Sequence, residues 1–299
     1  MSIPRDQLKF RAPPSMQLSD GSATSMTAPP QPVSSNVSPS ERANARFAVT
    51  GNAIITGGAG DIGSVACRAL LEHGLQGLAI FDLHPDAGNK TVASLQAEFP
   101  EAKITFTRVD VTDGDAVAQA VAEAERDVGP ISTCLCFAGI AFATHALEIT
   151  PQQWRTMLEV NTTGAFLCAQ AVAKSMVSRG TGGVIILMAS ISAHITNFPQ
   201  PQVHYNAAKA AILSIKKSLA AEWARYGIRV NSISPGYMDT ILNEGEGLEE
   251  HRQAWRQRNP YGRMGKPEEL TGAVILLASK AGNYITGADI LVDGGISVF

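Results

Sequence analysis

Thr56-Gly57-Gly58-Ala59-Gly60-Asp61-Ile62-Gly63 is the stretch that decides the fold. Before it stands the short apolar run Asn52–Thr56; after it, Ile62, Val65, Ala66, Ala69 and Leu70 recur at helical spacing. A strand, a glycine turn and a helix therefore follow one another. Glycine lets the backbone turn sharply and come close to a pyrophosphate, and the helix N-terminus offers free N–H groups with a partial positive charge. A glycine turn alone also serves plain packing, so the neighbouring segments have to carry the argument.

Outward from the turn the same alternation repeats. Leu78–Asp82, Ile104–Val109, Ile131–Phe137, Val184–Ala189 and Ile228–Ser234 are further short apolar runs. Helical patterns over Asp113–Val128, Gln152–Arg179 and Tyr205–Tyr226 separate some of them. Short apolar strands alternating with amphipathic helices build βαβ units and a parallel sheet. Residues 49–299 thus read as one doubly wound α/β domain, with no short-period repeat.

Residues 1–48 differ in character. Seven of the 16 prolines fall in the first 40 residues, among many Ser, Thr and Ala. Such a stretch buries too little apolar surface to offset its ordering entropy, so a disordered Pro/Ser-rich leader is expected. A transit peptide and a subunit-clasping arm are the other readings; Asp6, Asp20 and sparse Arg weigh against the first.

The whole chain has 299 residues, 24 Lys plus Arg against 27 Asp plus Glu, and a formal charge of −3. That balance argues against nucleic acid as a partner. No segment reads as a membrane span or a signal peptide: Val128–Thr144 lacks charge but is short and interrupted by Gly129, Pro130, Ser132 and Gly139. The four cysteines, Cys67, Cys134, Cys136 and Cys168, form no CxxC pair and no zinc-spaced cluster, so no metal site is expected. Buried free thiols suit a reducing, cytoplasmic compartment.

Asp82 ends the second strand, 19 residues beyond Gly63. A carboxylate there accepts both adenosine ribose hydroxyls and repels a 2′-phosphate. No Lys or Arg lies in the turn or just after Asp82 to attract that phosphate. NAD(H) is therefore the expected cofactor, NADP(H) the alternative. The structural reading of Asp82, capping the helix after Pro85, stands beside it. Asp110-Val111 follows the third strand and suits an adenine contact, although Asp110 serves equally well as a turn residue.

Tyr205-Asn206-Ala207-Ala208-Lys209 carries the chemistry. Positions i and i+4 share a helix face, so Tyr205 and Lys209 project together. A phenol with a pKa near 10 is a weak base at neutral pH, and a cation one turn away is expected to lower it. Ser190 closes the fifth apolar run 15 residues earlier, Asn161 lies in Val160-Asn161-Thr162-Thr163-Gly164, and Pro235-Gly236-Tyr237-Met238-Asp239-Thr240 follows the sixth run.

Taken in this order, these features resemble the short-chain dehydrogenase/reductase family over about residues 50–295. Ala189-Ser190-Ile191-Ser192-Ala193-His194-Ile195 and the segments Ser218–Ala224 and Arg229–Tyr237 narrow the likeness to the fungal and yeast polyol branch of mannitol, arabinitol and sorbose-type dehydrogenases. The resemblance implies a Rossmann-type fold and an oxidoreductase moving hydride between a nicotinamide coenzyme and a secondary alcohol or ketone. It implies Tyr205 as general acid/base, Ser190 as the group polarising the carbonyl, and Lys209 on the nicotinamide ribose. Asn161 would hold a water linked to Lys209. Gly57, Gly60, Ile62, Gly63, Ala138, Gly139, Pro235, Gly236, Met238 and Thr240 would line the coenzyme. A lid over about 238–262 and a homotetramer or dimer through the helices near 152–179 and 203–226 are also implied.

Two positions depart from the family pattern. Asp61 stands where the turn keeps its middle glycine; capping the helix is the expected role, with Gly60 making the close approach. Cys136-Phe137-Ala138-Gly139 replaces Asn-Asn-Ala-Gly. His194, Gln200, Gln202 and His204 are candidates to bind a hydroxylated, small-molecule substrate. A pocket of Phe142, Ile195, Phe198 and Met238 would instead suit an apolar ketone from secondary metabolism, and a non-catalytic nucleotide-binding scaffold is the alternative of another class. Trp255 and Tyr261 are expected in the core.

Overall fold

The structure, a computed structural model, describes residues 14–30 and 36–299. Seven strands form one parallel sheet: β1 (Asn52–Thr56), β2 (Gly77–Asp82), β3 (Lys103–Arg108), β4 (Ile131–Cys136), β5 (Gly183–Met188), β6 (Ile228–Pro235) and β7 (Asp289–Val292). Their order is β3-β2-β1-β4-β5-β6-β7. The chain winds outward from β1 in one direction, then returns to β4 and winds in the other. The β1/β4 junction is the switch point at which open α/β sheets hold their ligands.

Nine α-helices are described: α1 (Pro39–Phe47), α2 (Asp61–Glu72), α3 (Pro85–Glu98), α4 (Gly114–Val128), α5 (Pro151–Leu158), α6 (Ala165–Arg179), α7 (Val203–Trp223), α8 (Glu249–Arg258) and α9 (Thr271–Ala278). The strands read as unbroken apolar runs because both sheet faces are covered. Along β1, Ile54 faces the layer formed with α4, α6 and α7, whereas Ala53 and Ile55 face α2 and α9. Cys134 and Cys136 share one face of β4, with sulfurs 3.7 Å apart, and all four thiols are free and buried.

Three features go beyond the sequence expectations. First, the Pro/Ser-rich leader includes a helix. Ser38 and Glu41 close a capping box on α1, with Pro39 in its first turn. Upstream, Gln17 accepts a hydrogen bond from Arg225, and Met26 packs over Gly227. Residues 1–13 of that leader lie outside the described residues. Second, the run 152–179 is not one helix. A π-helical segment, Glu159–Gly164, separates α5 from α6. Third, β7 is an additional strand. Ile212 and Leu219 on α7 are buried in the core formed by this chain. Among the described residues, no helix is long and apolar enough to cross a membrane.

Candidate active site

A cleft of about 400 Å³ opens at the β1/β4 switch point. The β1–α2 turn forms its floor. Gly57 has φ +67°, and a Cβ there would lie 2.8 Å from the Ala138 backbone. A Cβ on Gly63 would lie 2.1 Å from the Gly57 carbonyl oxygen. The turn is therefore closed too tightly for side chains, and it brings the free N–H groups of the first turn of α2 to the cleft. The bare backbone of the turn lets a phosphate-bearing ligand approach its N–H groups.

Asp82 stands on the cleft wall, where its carboxylate accepts from Ala59 N and His84 N, both at 3.2 Å. It braces the glycine turn; it does not cap α3, whose N-cap is His84. Asp110 also lines the cleft, and its two bonds from Thr112, at 2.9 and 2.7 Å, hold its carboxyl below the usual carboxylate range. These bonds are those of a turn residue. Val111 packs against Gly164, while Ala138 and Gly139 continue the wall beyond β4.

Asp61 is a correction. The N-cap of α2 is Gly60, and Asp61 makes no cap. Its Oδ2 instead accepts from Ile241 N at 2.8 Å, tying the loop after Thr240 to the glycine turn across the cleft. A first-turn residue points its side chain outward along the helix, and here that direction leads to the loop. Thr240 and Ile241 line the cleft. Met238 does not reach it through its side chain, which is buried against Gly265 in the core. Gly236 is pressed against the Asp293 backbone, where a Cβ would come within 2.8 Å, and Pro235 ends β6.

Behind the cleft wall at Gly139 stand Asn161 and Lys209, the first residues of the proton-transfer pattern. The π-segment carries Asn161, buried, with Nδ2 donating to Ile140 O at 2.9 Å and Met157 O at 3.1 Å. Its Oδ1 would meet a Cβ on Gly139 at 2.6 Å, so glycine is required there. Ser190 extends from β5, beside β6, and donates to Ser192 Oγ at 3.1 Å. Tyr205 and Lys209 share one face of α7, with Nζ 5.5 Å from the ring centroid.

Lys209 is buried and donates to Met188 O at 2.9 Å; burial pulls its ammonium down to about 8. Burial pushes the Tyr205 phenol up to about 12, against the lowering effect of its bond to Ser190, with a further upward push from Tyr237. Lys209 is not among the groups that shift Tyr205 here; its ammonium donates to the Met188 carbonyl instead. In this form Tyr205 is poised to donate a proton.

The substrate candidates separate. Gln202 donates to Ser192 Oγ at 3.2 Å, extending the chain from Ser190. Gln200 is buried and hydrogen-bonded to both Tyr237 and Trp255. His194 is not at the cleft: its Nε2 pairs with Asp289 Oδ2 at 2.9 Å and Ser234 Oγ at 3.2 Å. His204 is fully enclosed, its Nδ1 accepting from Tyr205 N and its ring edge-on to Phe142 at 4.6 Å. On α7, adjacent positions point about 100° apart, so the neighbour of an inward Tyr205 faces elsewhere. Trp255 is buried as expected, whereas Tyr261 is exposed. Sequence reasoning missed Tyr237, Phe137, Ile140, Val160 and Ile241 as site-forming residues. Their shared signal was position, just past or opposite the C-terminal strand ends.

A parallel sheet with a glycine-floored cleft at its switch point, beside a Ser–Tyr–Lys–Asn set, defines a nicotinamide-dependent oxidoreductase. Residues 57–297 match the family model described as enoyl-(acyl carrier protein) reductase. Galactitol 2-dehydrogenase (L-tagatose-forming) of Cereibacter sphaeroides is 38% identical over 248 residues, 83% of this chain and 95% of that protein. NADP-dependent mannitol dehydrogenase of Alternaria alternata is 35% identical, over 82% of this chain and 91% of its own. The crystal structure of a short-chain type dehydrogenase/reductase from Mycobacterium marinum is 39% identical with a TM-score of 0.80, covering 84% of this chain and 97% of that one. The chain belongs to the short-chain dehydrogenase/reductase family.

Proposed function

We propose that the chain is an NAD(H)-dependent dehydrogenase interconverting a sugar alcohol and its ketose. The bound coenzyme supplies or accepts the hydride. Tyr205 gives its phenolic proton to the substrate oxygen in reduction and takes it back in oxidation. Ser190 donates to that same oxygen and polarises the C–O bond. Lys209 leaves Met188 O to hold the nicotinamide ribose, and its charge then lowers the Tyr205 phenol. Asn161, whose amide is bonded to Ile140 and Met157, steadies the Ile140 backbone, and in this proposal it is also the residue that holds the water refilling the proton path. Gly57, Gly60, Asp61, Ile62, Gly63, Asp110, Val111, Ala138, Gly139, Pro235, Gly236 and Thr240 form the coenzyme's surroundings, Met238 through its backbone.

The observation that supports the reading is Lys209, paired with Tyr205 on one face of α7 and lying directly behind Gly139, a wall residue of the cleft that also bears Asp82. Asp82 supports NAD(H) over NADP(H) by like-charge repulsion of a 2′-phosphate. The relatives' names, galactitol and mannitol dehydrogenase, support the substrate class. The test is turnover of D-fructose, L-sorbose and D-ribulose by wild type and Tyr205→Phe, with NADH and with NADPH. Wild type should prefer NADH, and the variant should lose at least about 100-fold. A variant as fast as wild type removes Tyr205 from the mechanism; a preference for NADPH removes the Asp82 argument.

A homo-oligomer and a cytoplasmic setting belong to the same proposal. Exposed Trp154 on α5 and Val177 on α6 support the first, and four free thiols fit the second.

A further inference from the structure

Tyr237, on the loop leaving β6, is held in an unusual polar frame. Its ring stacks on Trp255 at 4.3 Å and 7°. Its oxygen accepts from Asn197 Nδ2 at 2.9 Å and from Gln200 Nε2 at 3.1 Å. Both amides are buried, and partners with a single hydrogen-bonding role dictate their orientations. The Trp255 indole can only donate, and it donates to Gln200 Oε1 at 3.0 Å, so Nε2 must face Tyr237. The Ile195 carbonyl can only accept, and it takes Asn206 Nδ2 at 3.2 Å. Asn206 Nδ2 also donates to Asn197 Oδ1 at 3.1 Å, so Asn197 likewise turns its NH2 to Tyr237.

An oxygen that accepts two N–H bonds still has its own proton to give. Among the described residues, no acceptor takes the Tyr237 proton. Strands β5 and β6 run side by side, with Met188 paired to Ile233. Ser190 and Tyr237 therefore leave neighbouring strand ends on the same edge of the sheet. Asn197 also links Tyr237 to Asn206, the residue next to Tyr205 on α7.

We propose that Tyr237 is a substrate-positioning residue. Its fixed O–H donates to an oxygen on the carbon next to the reacting one, so the site selects α-hydroxy ketones and vicinal diols. A fixed donor left unpaired by an apolar ketone costs binding, which is how such a site discriminates. The proposal rests on the sugar alcohol/ketose reading above and adds the contact that recognises the class.

The experiment compares kcat and KM of wild type, Tyr237→Phe and Trp255→Phe on D-fructose, L-sorbose, D-ribulose and cyclohexanone, a ketone without a neighbouring hydroxyl. NADH binding by fluorescence titration serves as the check on folding. Tyr237→Phe keeps the stack and should lose about tenfold in kcat/KM on the ketoses, mainly in KM, the size of one net hydrogen bond. On cyclohexanone it should change less than about twofold, with NADH binding intact. Trp255→Phe frees the Gln200 amide and should show a smaller, still ketose-selective loss. Equal losses on all four substrates, or none on the ketoses, overturn the role of Tyr237 while leaving the sugar reading standing. A wild type that reduces cyclohexanone but none of the ketoses overturns both.

Discussion

Replacing Lys209 by Met should stabilise the coenzyme-free protein at neutral pH while abolishing turnover. Lys209 is 3% exposed, and burial pulls its ammonium from 10.5 to about 8. At about 1.4 kcal/mol for each pH unit, the charged form costs the fold about 3 kcal/mol near neutrality. Met fills a similar volume without charge. The loss of the 2.9 Å bond to Met188 O returns about 1.5 kcal/mol of that gain. The net expectation is a stabilisation of about 1–2 kcal/mol. The folded pKa lies below the unfolded one, so at pH values under 8 both states are protonated and the cost is complete. From about 8 to 10.5 the folded protein releases its proton first, and wild-type stability rises with pH relative to the variant. Urea unfolding, followed by fluorescence of the three tryptophans, measures both stabilities at about pH 7 and about pH 10. A variant less stable than wild type at neutral pH refutes the reasoning, as does a difference that fails to shrink toward alkaline pH. Stability gained by deleting a functional group is the trade-off expected where a site holds a charge for chemistry.

Gly63→Ala places a methyl 2.1 Å from the Gly57 oxygen and 2.7 Å from Gly58 Cα, both backbone atoms. The turn must open, so a stability loss of about 2–3 kcal/mol and at least about 100-fold weaker NADH binding are expected in melting and fluorescence titration; binding within about twofold of wild type would rule out the tight-turn argument. Asp61→Gly removes the acceptor for Ile241 N and should speed NADH release about 3–10-fold in stopped-flow displacement, the size of one hydrogen bond. An unchanged release rate would mean that the loop is held elsewhere, for example by the Arg252 bonds to Asn243 O and Asp239.

Six of the seven strands were legible as apolar runs because a parallel sheet buries both faces and leaves no alternation to confuse. The seventh, β7, is a four-residue edge strand whose residues remain partly exposed, so it sends no such signal. The π-segment was invisible for a different reason: its side chains keep an amphipathic helical pattern, and only backbone bonding distinguishes it. Composition also hides α1, whose signals are a capping box and a proline at the helix start rather than an apolar face. Among the candidate substrate contacts, proximity in sequence to Tyr205 was misleading for His204, which the helix turns into the protein, and for His194, which Asp289 holds at the β6–β7 edge.

What the sequence by itself determined is whatever depends on local pattern. The glycine turn, the alternation of strands and helices, and Tyr205 with Lys209 on one helix face all follow from spacing and steric freedom over a few residues. What only the tertiary structure decided is direction and solvation. Asp61 reaches a loop 180 residues away, Tyr237 has its proton oriented by amides that Trp255 and Ile195 dictate, and Tyr205 is pushed up rather than down. These outcomes depend on which distant atoms compete for a hydrogen bond and how much water remains around a charge, and both are set when the chain packs.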